Sequence, residues 1–190
     1  MKLLSVLIIA LFFVSCGEQN EISILKTDIN DGLSEEHRNE FRRDIVEVTD
    51  GVYSGIGFGL ANSIMIETSD GLVIVDTLGS EERATEMLEE FRKISSKPIK
   101  AIIYTHNHLD HIGGTTIFAQ EGEPEIYAHE NILYNIDNIS TTIRPIIFER
   151  SARQFGIPLP EDKIIHQGIG GFLEINAGST IGLLRPTITF

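Results

Sequence analysis

The chain has 190 residues, 42% of them hydrophobic, with 28 acidic against 15 basic side chains and a formal net charge of −13 at pH 7. That length allows one globular domain. The acidic balance argues against a nucleic-acid partner, because phosphate recognition wants a basic face. It does not exclude an anionic small molecule, since a bound metal would dominate the local potential.

The chain begins with Lys2 and an apolar run from Leu3 to Val14. The run is too short for a standard membrane span and suits a signal peptide. Phe13-Val14-Ser15-Cys16-Gly17 resembles a bacterial lipoprotein signal, with Phe13 where leucine is usual. The expectation is a signal segment over residues 1–16, lipid attached through Cys16, and export to the periplasm or outer membrane. A simple cleaved signal and an uncleaved anchor are the alternatives. Cys16 is the only cysteine, so no intramolecular disulfide forms and no thiolate joins a metal site. A polar spacer follows, and residues 17–44 read as a tether before a domain over 45–190.

Ile45 to Val48 and Gly51 to Tyr53 read as a strand and a turn. Asn62 to Thr68 alternates with period two, and Asp70-Gly71 turns it into a second strand, Leu72 to Asp76. Ser80 is placed to cap a helix with Glu81 and Glu82 in its first turn. Ala84, Met87, Leu88, Phe91 and Ile94 fall at helical spacing as a core stripe. Lys97-Pro98 ends that helix, and Ile99 to Tyr104 is the next strand. Thr115 to Gln120 begins a helix, Pro124 to Ala128 is a strand, and Asn131 to Phe155 is helical with a polar break at Asp137 to Thr142. Arg144, Arg150 and Arg153 read as a solvated helix face, with contact to an anionic substrate as the weaker alternative.

The chemistry concentrates in Thr105 to Gly114, T-H-N-H-L-D-H-I-G-G, which holds half of the chain's six histidines. Three imidazoles and a carboxylate at that density are costly to bury without a partner, and a divalent metal is the obvious one. His106 and His108 share a direction on an extended backbone. Asp110 and His111 follow where Gly113-Gly114 signals a turn, and would face a second ion. This donor set suits zinc, with iron or manganese as alternatives. Scattered surface polar residues are the bland alternative.

H-x-H-x-D-H after an apolar strand resembles the signature of the metallo-β-lactamase superfamily. The resemblance implies an α/β fold, the αββα sandwich, and a binuclear zinc site with two Zn2+ ions in the complete domain. His106, His108, Asp110 and His111 would be ligands, with Asp110 also the catalytic carboxylate. It also places an aspartate at the end of an earlier strand, here Asp76 after Leu72-Val73-Ile74-Val75, in a role supporting the metal site. A carboxylate there can hold a ligating histidine's second nitrogen. Capping of the following helix is the alternative for Asp76.

Dispersed segments narrow the resemblance to the alkyl sulfatase branch. These are E-V-T-D-G-V-Y from Glu47, G-F-G-L-A-N-S-I-M-I-E-T from Gly57, E-R-S-A-R-Q-F-G from Glu149, G-I-G-G-F-L from Gly168 and L-L-R-P-T-I-T-F from Leu183. That branch implies hydrolysis of a small-molecule sulfate ester to an alcohol and inorganic sulfate. The family takes further ligands, sulfate-binding groups and a dimerisation segment from beyond the stretch matched here. The expectation is therefore an N-terminal half, truncated in the apolar run Ile188 to Phe190, with poor folding in isolation, little turnover, and a homodimer only in a full-length form. His129 and His166 are weighed as substitute ligands and read as ordinary surface histidines. Hydrolysis of a lactam, lactone or thioester, and a non-catalytic metal-binding remnant, remain the alternative functions.

Overall fold

The computed structural model describes residues 40, 42–120, 122–156, 158–160 and 178–190. The expected signal segment, Cys16, nearly all of the spacer, His166 and the segment 168–173 lie outside the described residues.

Among the described residues seven strands form one sheet whose spatial order follows the sequence: β1 (Asp44–Thr49), β2 (Val52–Ile56), β3 (Ser63–Glu67), β4 (Leu72–Val75), β5 (Ile99–Ile103), β6 (Glu125–Ala128) and β7 (Ile188–Thr189). The first four pair antiparallel, and β4 through β7 pair parallel. The change of direction follows from the connections. Between β3 and β4 the Asp70-Gly71 turn is closed by Thr68, whose N–H and hydroxyl both donate to Gly71 O, at 2.9 and 2.7 Å. A parallel neighbour needs a longer crossover. The helix α1 (Glu81–Ile94) supplies it between β4 and β5. The short helices α2 (Leu109–Ile112) and α3 (Thr115–Ala119) link β5 to β6, and α4 (Asn131–Ser140) and α5 (Arg144–Gln154) follow β6. Among the described residues no helix is long and apolar enough to cross a membrane.

Local chemistry explains α1. Ser80 is extended (φ −149°) and its hydroxyl accepts from Arg83 N at 3.4 Å. Glu81 and Glu82 sit in the first turn and Arg92 and Lys93 in the last, the order that the helix dipole favours. Ala84, Met87, Leu88 and Phe91 are buried against the sheet residues Met65, Leu72, Ile74 and Ile102 in one core cluster. Gly55 on β2 leaves room for Met87, whose sulfur would lie 2.2 Å from a Cβ there.

Two expectations are corrected. Ile94, assigned to the core stripe, is 39% exposed. It is the last helical residue, and Ser95 already turns extended, so the stripe ends one turn early. The break expected at Asp137 to Thr142 is shorter and later, because α4 continues to Ser140. Pro145, in the first turn of α5, has no N–H to give a preceding turn and starts a new helix instead.

Phe91 is fully buried at the centre of the α1 stripe. Phe91→Ala is expected to cost about 3–5 kcal/mol, read as a lowered urea midpoint with unchanged slope. A variant with the wild-type midpoint would remove Phe91 from the core.

Candidate metal centre

The site lies at the carboxyl ends of β4 and β5, the first two strands of the parallel set. β4 ends at Val75, and Asp76 N still donates to Ile103 O at 2.9 Å, so the aspartate is held in line with the end of β5. The backbone then leaves the sheet plane through left-handed conformations at Asp76 (φ 59°) and Leu78 (φ 62°). That region disfavours side chains by about 1–2 kcal/mol per residue, and Leu gains nothing locally from it. Surrounding contacts maintain it: Leu78 is completely buried, Ser63 Oγ donates to Asp76 O at 2.7 Å, and Thr77 N donates to His111 O at 2.7 Å.

Asp76 is buried, and its carboxylate accepts three hydrogen bonds. Thr105 N reaches Oδ1 at 2.9 Å, while Thr105 Oγ1 and His111 Nδ1 both reach Oδ2 at 2.7 Å. A carboxylate only accepts, which assigns the His111 proton to Nδ1 and leaves Nε2 as the lone-pair nitrogen. The same counting applies to His106. Thr105 Oγ1 gives its one proton to Asp76, so its 3.0 Å contact with His106 Nδ1 assigns that nitrogen as a donor. His106 and His111 therefore both carry a proton on Nδ1, the nitrogen turned toward Thr105 and Asp76.

The four motif residues are brought together. The His106 ring centroid lies 4.6 Å from that of His108 and 4.0 Å from that of His111. His108 is extended (φ −70°, ψ 140°) and precedes α2, which carries Asp110 and His111 on one turn. Burial, then the neighbouring His111 and His108, push the His106 imidazole below its ordinary pKa, favouring the neutral ring that a metal needs. His111 Nε2 lies 3.5 Å from Asp110 Oδ2. A ring nitrogen facing a carboxylate oxygen is favourable when a proton or a cation sits between them. The donor set thus fits a divalent metal by chemistry and by tautomer. Among the described residues, no group of three or more His, Cys, Asp or Glu side chains is arranged so that it could hold a metal ion.

Asp76 does not cap α1, because Ser80 does. His129 is exposed, its Nδ1 accepting from Asn131 N at 3.2 Å and its ring 6.1 Å from Phe190. Arg153 pairs with Glu149 at 2.7 Å on an exposed helix face, the bland reading of that segment. Sequence reasoning passed over Thr105, Tyr104, Thr77 and Thr115. Thr105 was legible in principle, since a hydroxyl between a buried strand and an imidazole loop has few other partners. The other three carry no local signal.

The tight turn behind the loop explains Gly113-Gly114. A Cβ at Gly113 would lie 2.2 Å from Gly79 O, and one at Gly114 would lie 2.4 Å from Thr77 O. The turn and the loop after β4 are in backbone contact, so the carboxylate and the imidazoles are carried on one rigid unit.

Residues 56–175 match the metallo-beta-lactamase superfamily. The chain belongs to this superfamily. It is 42% identical over 133 residues to a linear primary-alkylsulfatase of a Pseudomonas strain, covering 66% of this chain and 25% of the relative. It is 32% identical over 150 residues to an alkyl/aryl-sulfatase of Saccharomyces cerevisiae, covering 76% and 23%. The solved structure of the sec-alkylsulfatase Pisa1 from Pseudomonas sp. superposes with a TM-score of 0.70 at 23% identity, over 83% of this chain and 26% of that one, which establishes the metallo-β-lactamase-like fold. The chain spans about a quarter of the length of the curated sulfatases it matches.

Asp76→Asn keeps the size of the side chain and its tolerance of a left-handed backbone, but turns an N–H pair toward the one donor at Oδ1 or the two at Oδ2. It is expected to destabilise the fold by about 1–3 kcal/mol, measured by urea denaturation. Wild-type stability in this variant would mean that the three hydrogen bonds are not formed in solution.

Proposed function

We propose that this chain is the metal-binding portion of a hydrolase that cleaves alkyl sulfate esters to an alcohol and inorganic sulfate. His106, His108, Asp110 and His111 hold zinc, two ions in the complete site, and Asp76 supports them. The observation that carries this reading is His111, anchored through Nδ1 to a buried carboxylate and presenting Nε2 to Asp110. Bound zinc supplies Lewis-acid polarisation and lowers the pKa of water to about 7.

The chain's own residues have three tasks. Asp76 fixes the tautomer and ring plane of His111, as a carboxylate behind a ligating imidazole does elsewhere. Thr105 extends the same control to His106 through one hydroxyl. Asp110 Oδ2, beside the His111 lone pair, orients the attacking water and accepts its proton. The ester assignment is supported by four curated sulfatases that align over 66–76% of this chain, whereas two curated metallo-beta-lactamases align over 38%.

The test is sulfate release from dodecyl sulfate by the full-length protein, together with its zinc content. About two zinc ions per chain are expected, with activity lost on chelation and restored by zinc. His106→Ala and His111→Ala should each lower turnover by roughly two orders of magnitude or more. Ring opening of a lactam or lactone without sulfate release would move the chain to another hydrolase of this fold. Absence of zinc uptake would make it a non-catalytic remnant.

We also propose export with a lipid on Cys16, resting on Lys2, the apolar run Leu3 to Val14 and the residues flanking Cys16. Palmitate labelling in a bacterial host should be present in the wild type and absent in Cys16→Ser. Equal labelling, or none in either, would refute it.

A further inference from the structure

Behind the histidine loop, on its buried side, three hydroxyls meet. Thr77 and Thr115 are completely buried, and Tyr104 is nearly so. Tyr104 Oη lies 2.7 Å from Thr115 Oγ1 and 2.9 Å from Leu184 O. Thr77 Oγ1 lies 2.9 Å from Thr115 Oγ1 and 3.2 Å from His111 O. Thr115 Oγ1 donates to Ile112 O at 2.8 Å. Three protons thus face five contacts, and the carbonyls can only accept. Thr115, Tyr104 and Thr77 can each give their one proton to a carbonyl, of Ile112, Leu184 and His111 respectively, and the two contacts with Thr115 Oγ1 compete for those same protons. Thr115 Oγ1 is the one atom in hydrogen-bond contact with both other hydroxyls and with Ile112 O.

The position of these groups along the chain gives the cluster its meaning. Tyr104 is two residues before His106, Thr77 follows Asp76 directly, and Ile112 follows His111 directly. The entry of the loop, its exit and the supporting carboxylate are therefore tied at a single atom.

We infer that Thr115 is a positioning residue for the metal centre, its hydroxyl setting the spacing of His106, His111 and Asp76 from behind. The inference rests on the metal-site reading above. Removal of the hydroxyl leaves Tyr104 bonded to Leu184 O and Thr77 bonded to His111 O, and takes the side-chain donor from Ile112 O. What is lost is the link between them, and with it the fixed separation of the two imidazoles.

The test measures zinc affinity by competition with a chromophoric chelator, and the cobalt(II) d–d spectrum, on the full-length protein. Thr115→Val, of matching shape, should weaken zinc binding by about tenfold or more, the usual effect of groups behind the ligands, and alter the cobalt spectrum. Thr115→Ser should restore both. The control is Thr116→Val, which removes the neighbouring hydroxyl bonded to Glu81 Oε1 at 2.6 Å. It should keep affinity within about twofold of wild type. Unchanged zinc affinity in Thr115→Val, an equal loss in Thr116→Val, or no rescue by serine each overturns the inference while leaving the metal site standing. If Thr115→Val does not fold, Tyr104→Phe, which deletes one hydroxyl in contact with Thr115 Oγ1, should weaken zinc binding in the same direction; wild-type affinity there overturns it. A wild-type protein that takes up no metal overturns both the metal-site reading and this inference.

Discussion

The site depends on one buried carboxylate. Asp76 ends β4, sits in a left-handed conformation and accepts from Thr105 N, Thr105 Oγ1 and His111 Nδ1. Charge-assisted hydrogen bonds of this kind are roughly twice as strong as neutral ones. Together they offset the unfavourable backbone at Asp76 and Leu78. The strain and the bonds belong to the same design. A regular extension of β4 would keep the chain within the sheet plane, whereas the left-handed turn brings the loop after β4 into backbone contact with Gly113 and Gly114.

The sheet explains why the carboxylate and the imidazoles meet at all. β1 to β4 form antiparallel hairpins, and β5 is the first strand added in parallel through a helix. Only parallel neighbours place their carboxyl ends side by side, where loops from successive strands converge. Asp76 leaves β4 and Thr105 follows β5 at that common end, 29 residues apart in sequence and 2.7 Å apart in space. An antiparallel β5 would have delivered the histidines to the opposite edge of the sheet.

Much of this arrangement was legible in the residues. Period-two alternation located β3, Asp70-Gly71 located its turn, and Ser80 with Glu81 and Glu82 located the start of α1, because each signal is local. The density of His106, His108, Asp110 and His111 marked the chemistry. Ile94 misled because helical spacing identifies a face and not the turn on which the helix stops. The positive φ at Leu78 had no signature, since leucine is a residue that the region disfavours and only tertiary contacts hold it there. The Tyr104, Thr77 and Thr115 cluster was equally silent. Threonine and tyrosine occur in strands, caps and surfaces alike, and only the fold reveals that three hydroxyls share one proton network.

The histidine motif is not self-sufficient as a local structure. Residues 178–190 return along its back and supply backbone partners that the loop cannot provide for itself. Gly182 N donates to Gly113 O at 2.7 Å, Thr116 N donates to Gly182 O at 2.8 Å, and Glu81 N donates to Thr180 O at 2.9 Å. A Cβ at Gly182 would lie 1.8 Å from Thr116 Oγ1, so any larger residue there would displace the Thr116 and Glu81 side chains. The same segment offers Leu184 O to Tyr104 and continues as β7 beside β6. Orphaned backbone groups at the ends of short helices must find partners, and α2 and α3, of four and five residues, have few internal bonds to spare. The segment from Gly178 onward therefore supplies backbone partners to the turn and helix that follow the histidines.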